Sequence, residues 1–254
     1  MLADGDIAPV TVLNAKGASA FLIVADHAGN VFPGALDRLG ITEADQARHI
    51  AWDIGIAGVC RGLAERLDAT LIQQNYSRLI IDCNRPPDTP ASIPMMSERT
   101  PIPGNRDLGA LERQARLDEI FAPYHARIAE EIDGRTAAAR PTVLIAMHSF
   151  TPVYLDEARP WHAGVLYRDD VPFASAVLAA LRTNSDLVIG DNEPYAVSAA
   201  TDYTLPVHGG ARGLRHVGIE IRQDLLADPA GQEEWAARMA AVLETAIAAC
   251  PPGA

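Results

Sequence analysis

The chain has 254 residues, enough for one large domain with a sizeable hydrophobic core. Its 48% hydrophobic and 21% charged residues exclude collagen-like, low-complexity and wholly disordered classes. The formal net charge of −12 produces a field that repels nucleic acid and anionic lipid surfaces. No stretch approaches the roughly 20 apolar residues of a membrane span, and no basic segment precedes an apolar run at the start. We therefore expect a cytoplasmic protein that binds neither nucleic acid nor membrane.

Apolar periodicity predicts strands that alternate with helices along the chain. The short apolar runs typical of buried strands cover 20–26, 70–74, 77–82, 142–147, 163–167, 187–190 and 217–221. Helical spacing of apolar residues predicts helices over 43–67, 107–133, 172–183 and 230–249. This alternation favours an α/β fold of three layers, with helices on both faces of a mixed, largely parallel sheet. We find no repeat or linker, so we predict one domain over 1–254.

Residues 84–107 interrupt this alternation, because they contain six prolines and no apolar period. The composition predicts a long loop. Loops of this length in compact domains are usually functional or disordered.

The motifs of several common enzyme classes are absent, which narrows the range of reactions to consider. The chain has no GxSxG elbow, no P-loop glycine pattern, no GxGxxG after a strand and no HExxH helix. Its three cysteines, Cys60, Cys83 and Cys250, show no CxxC spacing, so neither a disulfide framework nor a thiolate zinc site is indicated.

Two predicted buried strands each deliver a histidine at the carboxyl end. His27 follows the run 20–26, and His148 follows the run 142–147. If both strands belong to one parallel sheet, the two imidazoles emerge at the same edge and are able to share a divalent metal such as zinc. The alternative is two unrelated loop histidines.

A third metal ligand is expected to be a carboxylate, because catalytic zinc usually has three protein ligands and an open position. Asp53 lies within the apolar stripe of the helix predicted over 43–67, where an ionised carboxylate needs a compensating partner. Asn30 competes by its spacing from His27, although an amide oxygen is a weaker zinc donor. His49 shares the helical face of Asp53 but is also explained as a solvated residue.

Two further groups of charged residues are candidates for substrate chemistry. Arg78 and Arg85 flank Asp82 and Asn84, and their guanidinium groups suit either an anionic substrate or an ion pair that holds the loop. In the alternating strand 217–221, Glu220 points to the side of Gly218 and Arg222. This glutamate is interpreted either as a general base or as half of a cross-strand ion pair.

Other polar and aromatic residues follow predicted strands without a clear role. Tyr154, Trp161 and Tyr195 fit either a pocket lining or ordinary packing. Asp191 and Glu193 are candidates to orient metal-binding histidines through a hydrogen bond.

Taken together, the strings DHAGN, NYSRLIIDCNRP, AMHSF and GIEIRQDL resemble the N-formylglutamate amidohydrolase family. The further strings HIAWDIG, TPIPGNR, ARPWHAGVLY and GDNEPY extend this resemblance from about residue 20 to about residue 226. The family is related to zinc carboxypeptidases, so the resemblance implies a zinc-carboxypeptidase-like fold and one zinc ion per chain.

The resemblance also implies roles for individual residues. His27 and His148 match the two zinc histidines, and Glu220 matches the general base. Asn84 and Arg85 match the pair that holds the substrate carboxylate. Asn30 departs from the pattern, because the carboxypeptidase motif has glutamate there. Related zinc amidases take an acidic ligand from a following helix, and on this basis Asp53 is the preferred third ligand.

We therefore expect hydrolysis of an acidic N-acyl amino acid such as N-formylglutamate to formate and the free amino acid. Arg78 is expected to stabilise the developing oxyanion, and Arg222 to hold a second carboxylate or orient the base. The alternatives are a zinc amidase or peptidase acting on another N-acyl amino acid or peptide, and a non-catalytic ligand-binding protein. The sequence leaves the oligomeric state open.

Overall fold

The structure of the chain is a computed structural model that describes residues 1–251. Within them, the strands are β1 (Val10–Leu13), β2 (Phe21–Ala25), β3 (Thr70–Gln74), β4 (Met96–Ser97), β5 (Thr100–Pro101), β6 (Val143–Phe150), β7 (Val153–Tyr154), β8 (Glu157–Ala158), β9 (Ala163–Leu166), β10 (Ile189–Asp191) and β11 (Arg215–Arg222). Seven of these strands form one sheet with the order β1-β3-β2-β6-β11-β9-β10. Two small hairpins, β4-β5 and β7-β8, lie outside it. The α-helices are α1 (Glu43–Gln46), α2 (Ile56–Leu67), α3 (Ala110–Arg116), α4 (Ala122–Ala137), α5 (Val171–Leu181) and α6 (Pro229–Ala249).

The central sheet is mixed and largely parallel, as the alternation of strands and helices predicts. In the described part of the chain, four of its six neighbouring strand pairs are parallel, and the pairs β1-β3 and β11-β9 are antiparallel. Strands β2 and β6 are buried along their whole length. They consist mainly of apolar residues because both faces of the sheet are covered.

Two apolar cores lie against the two faces of the sheet. One core packs residues of α2, α5 and α6 against the strands. The other contains residues of α4, of the turn at 79–83 and of the proline-rich segment 84–107, including Ile93 and Ile102. The predicted three-layer α/β fold is therefore confirmed.

The prediction of one continuous helix over 43–67 is wrong, because the middle of this segment is not helical. The structure has the short helix α1, then a non-helical segment, then α2 from Ile56. Backbone hydrogen bonds hold the intervening segment to distant parts of the chain: Asp53 N donates to His27 O and Arg78 N donates to Ala51 O. Gly55 precedes α2 with a left-handed φ of 80°. Asp53 therefore lies in a loop rather than on a helix.

The strand predicted over 77–82 is also wrong, because these residues form turns after β3. Their apolar side chains, Leu79 to Ile81, are buried in the second core instead of a sheet. The Ser77 hydroxyl donates to Ala51 O and accepts from Leu79 N, which stabilises the turn. A buried apolar run alone does not distinguish a strand from a packed turn.

The proline-rich segment 84–107 is ordered rather than structureless. It contains the hairpin β4-β5 and a short helical turn at Pro103–Asn105. The buried Arg116 guanidinium donates to Asn105 Oδ1, Gly104 O and Ile80 O. These hydrogen bonds attach the end of the loop to the second core.

The other predicted elements are present with shifted ends. The helix predicted over 107–133 is divided into α3, a wider turn at Leu117–Phe121 and α4. No helix among the described residues is long and apolar enough to cross a membrane. The single domain over 1–254 stays a prediction, and its last three residues lie outside the described part.

Candidate metal centre and substrate cavity

The register of the three parallel strands β2, β6 and β11 aligns several polar residues of the site. Glu220 on β11 lies opposite His148 on β6. Val24 on β2 lies opposite Ala146 on β6, so Asp26, directly after β2, continues that register beside His148. Parallel strands end at the same sheet edge, and these three polar residues therefore form one row across the sheet.

His27, Asp53 and His148 form a buried cluster at this edge. One ligand atom from each residue lies within 4.8 Å of the other two. The Asp53 Oδ2 atom lies 3.0 Å from His148 Nδ1 and 3.6 Å from His27 Nδ1. The structure thus brings together the two predicted histidines and the preferred carboxylate.

Two further carboxylates hold the opposite nitrogens of the histidines. Asp82 Oδ1 lies 2.7 Å from His27 Nε2, and Asp26 Oδ2 lies 3.3 Å from His148 Nε2. A hydrogen bond such as that between His27 and Asp82 fixes the tautomer of a metal-binding histidine and raises its basicity, and Asp26 lies within ion-pair distance of His148. We missed this role for Asp26 and Asp82 in the sequence, although each stands at the end of an apolar run. Asp191 instead accepts from the Tyr167 hydroxyl.

The donor set fits a divalent ion such as zinc. Two ligands at about 2.0–2.1 Å from a tetrahedral ion lie about 3.3 Å apart, between the two distances that Asp53 Oδ2 makes. His27 Nδ1 is buried and has no hydrogen-bond partner in the described residues. A buried polar atom without a partner is costly, and a metal ion would satisfy it.

Opposite charges compensate one another within the cluster. Burial opposes ionisation of Asp53, but His27 and His148 outweigh burial and hold the pKa of Asp53 below its ordinary range. Burial is likewise outweighed at Asp26, where His148 lowers the pKa to about 2. The carboxylates are therefore ionised at neutral pH, which is the form that binds metal.

Glu220 is the one carboxyl group of the row whose pKa is raised. Burial, with a further contribution from the negative charge of Asp53, raises the pKa of Glu220 to about 7. Its Oε2 atom is buried without a hydrogen-bond partner among the described residues. A carboxyl group with a pKa near the working pH is suited to accept and return a proton.

Arg78 connects two carboxylates of the site. Its Nε and Nη2 atoms donate to Asp82 Oδ2 at 3.0 Å and 2.7 Å, and its Nη1 atom donates to Asp53 Oδ1 at 3.4 Å. The Arg78 side chain retains 24% exposure and lines the cavity. It therefore carries positive charge to the cavity wall beside the cluster of His27, Asp53 and His148.

Asn84 and Arg85 also line the cavity, but both have partners within the protein. Asn84 Oδ1 accepts hydrogen bonds from Tyr203 N and Thr204 N, each at 3.1 Å. Arg85 Nη1 lies 3.6 Å from Asp202 Oδ1 and donates to Thr201 O. These contacts hold the segment 201–204 against the cavity.

Two predicted site residues do not reach the cluster. Arg222 is not among the residues that line the cavity, and it donates to Asp224 and to Pro160 O, so its role in holding a second carboxylate or orienting Glu220 stays a prediction. Asn30 donates to Gln46 O and is not part of the cluster. The alternation of the strand placed Arg222 correctly beside Glu220, but a local ion pair turns its long side chain outward.

The cavity above the cluster has a volume of about 800 Å³. His27, Asp53, His148 and Glu220 form its polar floor, and His49, Met95 and Glu98 also line it. His49 Nε2 lies 3.2 Å from Glu98 Oε1, so this histidine contacts the hairpin loop and not the cluster. Tyr154 and Tyr195 also line the cavity. Its size suits a small molecule.

Fold and site together define a three-layer α/β protein with a candidate metal centre at the carboxyl edge of its sheet. Residues 19–227 match the family model described as N-formylglutamate amidohydrolase. The chain therefore belongs to the N-formylglutamate amidohydrolase family, as its motifs predict.

Individual relatives agree with this assignment. N-formylglutamate deformylase of Pseudomonas aeruginosa is 31% identical over 130 residues, which are 46% of this chain and 47% of that protein. The match spans about half the length of this curated relative.

Two solved structures extend over almost the whole chain. A gene product of Agrobacterium tumefaciens is 37% identical, with a TM-score of 0.94 over 97% of this chain and 98% of that one. N-formylglutamate amidohydrolase of Ralstonia eutropha JMP134 is 20% identical, with a TM-score of 0.71 over 94% and 97% of the two chains. The second likeness shows that the fold is shared.

Proposed function

We propose that this protein is a metal-dependent amidohydrolase that cleaves an N-formyl amino acid such as N-formylglutamate to formate and the free amino acid. The observation that carries the proposal is the buried His27, Asp53 and His148 cluster beside Glu220 at the floor of the cavity. Membership of the N-formylglutamate amidohydrolase family supports the reaction class. The name of the Pseudomonas aeruginosa relative supports the formyl group.

His27, Asp53 and His148 would hold a zinc ion, with Asp82 and Asp26 behind the two histidines. When bound, zinc supplies Lewis-acid activation of a carbonyl and of water. Arg78 contributes a second positive charge beside Asp53. In this proposal Arg78 stabilises the negative charge that develops on the carbonyl oxygen.

In this proposal Glu220 transfers a proton from the attacking water to the leaving amide nitrogen. Its carboxylate accepts a proton from the water that attacks the formyl carbon. The protonated carboxyl group then donates that proton to the amide nitrogen as the C–N bond breaks. Formate and the amino acid are the products. The raised pKa of Glu220, about 7, is suited to both transfers near neutral pH.

The substrate is oriented through the amino-acid end, because a formyl group is too small to supply much binding energy. Asn84 and Arg85 lie on the cavity wall, and Arg85 is able to exchange part of its contact with Asp202 for a substrate carboxylate. The partner proposed for the cavity is therefore a small acidic N-acyl amino acid.

The test combines metal analysis with hydrolysis of N-formyl-L-glutamate. We expect about one zinc ion per chain, activity that a chelator abolishes, and activity that returns when zinc is added. Glu220→Gln should keep the zinc but lose activity by a factor of about 100 to 10,000, the usual contribution of a general acid-base.

Two outcomes would change the proposal. Bound zinc without hydrolysis of any N-formyl amino acid would keep the metal centre and reject the substrate. Absence of metal, with no activity after zinc is added, would favour a ligand-binding protein without catalysis.

A further inference from the structure

Arg159, which the sequence motifs left without a role, lies between two tyrosines of the cavity wall. Its guanidinium carbon is 4.6 Å from the centre of the Tyr154 ring and 4.8 Å from the centre of the Tyr195 ring. Its Nη1 atom donates a hydrogen bond of 2.8 Å to the Tyr195 hydroxyl. The two rings thus hold the planar cation in a defined orientation.

Arg159 differs from the other arginines of this region in its partners. Arg78, Arg85 and Arg222 each lie within 4.0 Å of an aspartate. No carboxylate in residues 1–251 lies within that distance of Arg159, and its hydrogen bond to Tyr195 uses one of five N–H donors. The guanidinium therefore keeps donors and charge for an external anion.

The backbone around Arg159 is held in place. Arg159 N donates to Pro152 O at 2.8 Å, which closes the small hairpin β7-β8. Arg222 Nη1 donates to the next carbonyl, Pro160 O, at 3.3 Å. The outward side chain of Arg222 thus supports the segment that carries Arg159. A preorganised cation loses little entropy when it binds a ligand.

The two tyrosines that contact Arg159 also line the cavity. Tyr154 and Tyr195 line the cavity, and Tyr195 is 44% exposed, which places it at the mouth. His148 and Glu220 line the same cavity. Arg159 therefore lies beside the cavity wall, in contact with both tyrosines.

We propose that Arg159 is a specificity-determining residue that binds the side-chain carboxylate of a dicarboxylic N-formyl amino acid. This inference rests on the proposed function. The α-carboxylate is two bonds from the amide nitrogen, so the proposed function places it near Asn84 and Arg85 on the cavity wall. An acidic side chain carries its carboxylate farther from the amide, toward the mouth where Arg159 is held. Its N–H fork matches a carboxylate in two parallel hydrogen bonds.

The experiment compares two ligands that differ only in the side-chain charge, N-formyl-L-glutamate and N-formyl-L-glutamine. Affinities are measured by calorimetry in the Glu220→Gln background, so that neither ligand is hydrolysed. We expect this protein to bind the glutamate derivative about 10 to 100 times more tightly, as a charge-assisted hydrogen-bond pair predicts. Adding Arg159→Ala should reduce the preference to less than about threefold, and adding Arg159→Lys should keep part of it.

The matched control is Arg61→Ala in the same background. Arg61 is an exposed arginine of α2, so this variant makes the same change of net charge without touching the cavity. It should leave the preference unchanged, and a thermal melt should show that the Arg159 variants remain folded.

Three results would overturn the assignment: an unchanged preference in Arg159→Ala, an equal loss of affinity for both ligands, or no preference before Arg159 is changed. Hydrolysis by the protein with Glu220 intact is measured separately. Failure to hydrolyse either ligand would reject the proposed function, while the binding preference would still decide the role of Arg159.

Discussion

Several carboxylates of this protein are buried, and contacts with individual neighbouring residues compensate their charge. Asp26, Asp53 and Asp82 are at most 4% exposed, and each lies against a histidine or an arginine. Burying an ionised group without a partner is costly, so these contacts are a condition for folding as well as for the proposed metal binding. Glu220 is the exception, because burial outweighs its positive neighbours and raises its pKa.

At this scale the identity of the third metal ligand is directly testable. We predict that Asp53→Ala reduces the zinc content to near zero, because it removes one of three ligands and the partner of both histidines. Asn30→Ala should retain about one zinc per chain, because Asn30 lies outside the cluster. Metal content is measured by elemental analysis after dialysis. Loss of zinc in the Asn30 variant alone would show that the ligand set is wrong.

At the scale of structural elements, the turn between α1 and α2 matters most for the site, because it positions Asp53. It ends at Gly55, which has a φ of 80° and precedes α2. A Cβ atom at this position would lie 2.4 Å from Leu226 Cβ. Glycine is therefore required both by the left-handed backbone and by the close contact. The turn presents Asp53, two residues earlier, to the histidines.

We predict that Gly55→Ala lowers the free energy of unfolding by about 2–4 kcal/mol, from backbone strain and the contact with Leu226. The control is Gly134→Ala on the exposed side of α4, where a Cβ atom would meet nothing within 4 Å. That variant should gain about 0.5–1 kcal/mol from helix propensity. Urea unfolding curves measure both changes. Equal effects of the two substitutions would contradict the role assigned to the turn.

At the scale of the whole molecule, a buried pair of histidines is expected to make the free energy of unfolding depend on pH. His125 Nδ1 lies 3.0 Å from His208 Nε2 in the layer that contains α4. Burial lowers the pKa of His125 to about 4. Burial and the neighbouring His125 lower the pKa of His208 to about 3. Both values lie below the ordinary histidine pKa of about 6.5, so the folded state favours the neutral rings.

We predict that this pair destabilises the protein as the pH falls. Below about pH 6.5 the unfolded chain binds more protons than the folded one, so stability decreases toward pH 4. Between pH 7.5 and pH 5, the stability advantage of the protein over His208→Gln should shrink by on the order of 1–2 kcal/mol. Urea unfolding at the two pH values measures the difference. A constant advantage would show that His208 does not titrate in this way.

Much of the fold and part of the site were predictable from local pattern. Apolar runs located six of the seven predicted strands, since burial on both faces of a sheet leaves a continuous apolar signal. The histidines at two strand ends were predicted to meet, and parallel neighbours β2 and β6 bring His27 and His148 together. Glu220 was visible because a glutamate in a strand of branched apolar residues is unusual.

Contacts between distant segments were not predictable in this way. The turn at 77–82 has a strand-like apolar run, and its shape depends on hydrogen bonds between Ser77 and Ala51. The same contacts interrupt the predicted helix and move Asp53 into a loop. The outward side chain of Arg222 depends on Asp224 and Pro160.

The sequence by itself determined the α/β architecture, the family and the residue types available for metal and proton chemistry. Each of these follows from local periodicity or from the order of short motifs along the chain. Only the tertiary structure decided which carboxylates stand behind His27 and His148, and that Arg159 lies against two tyrosines of the cavity wall while Arg222 pairs with Asp224. The physical reason is that side-chain partners are set by packing between segments far apart in the chain, 95 residues for Asp53 and His148 and 178 for Asp26 and Thr204, which no local pattern records.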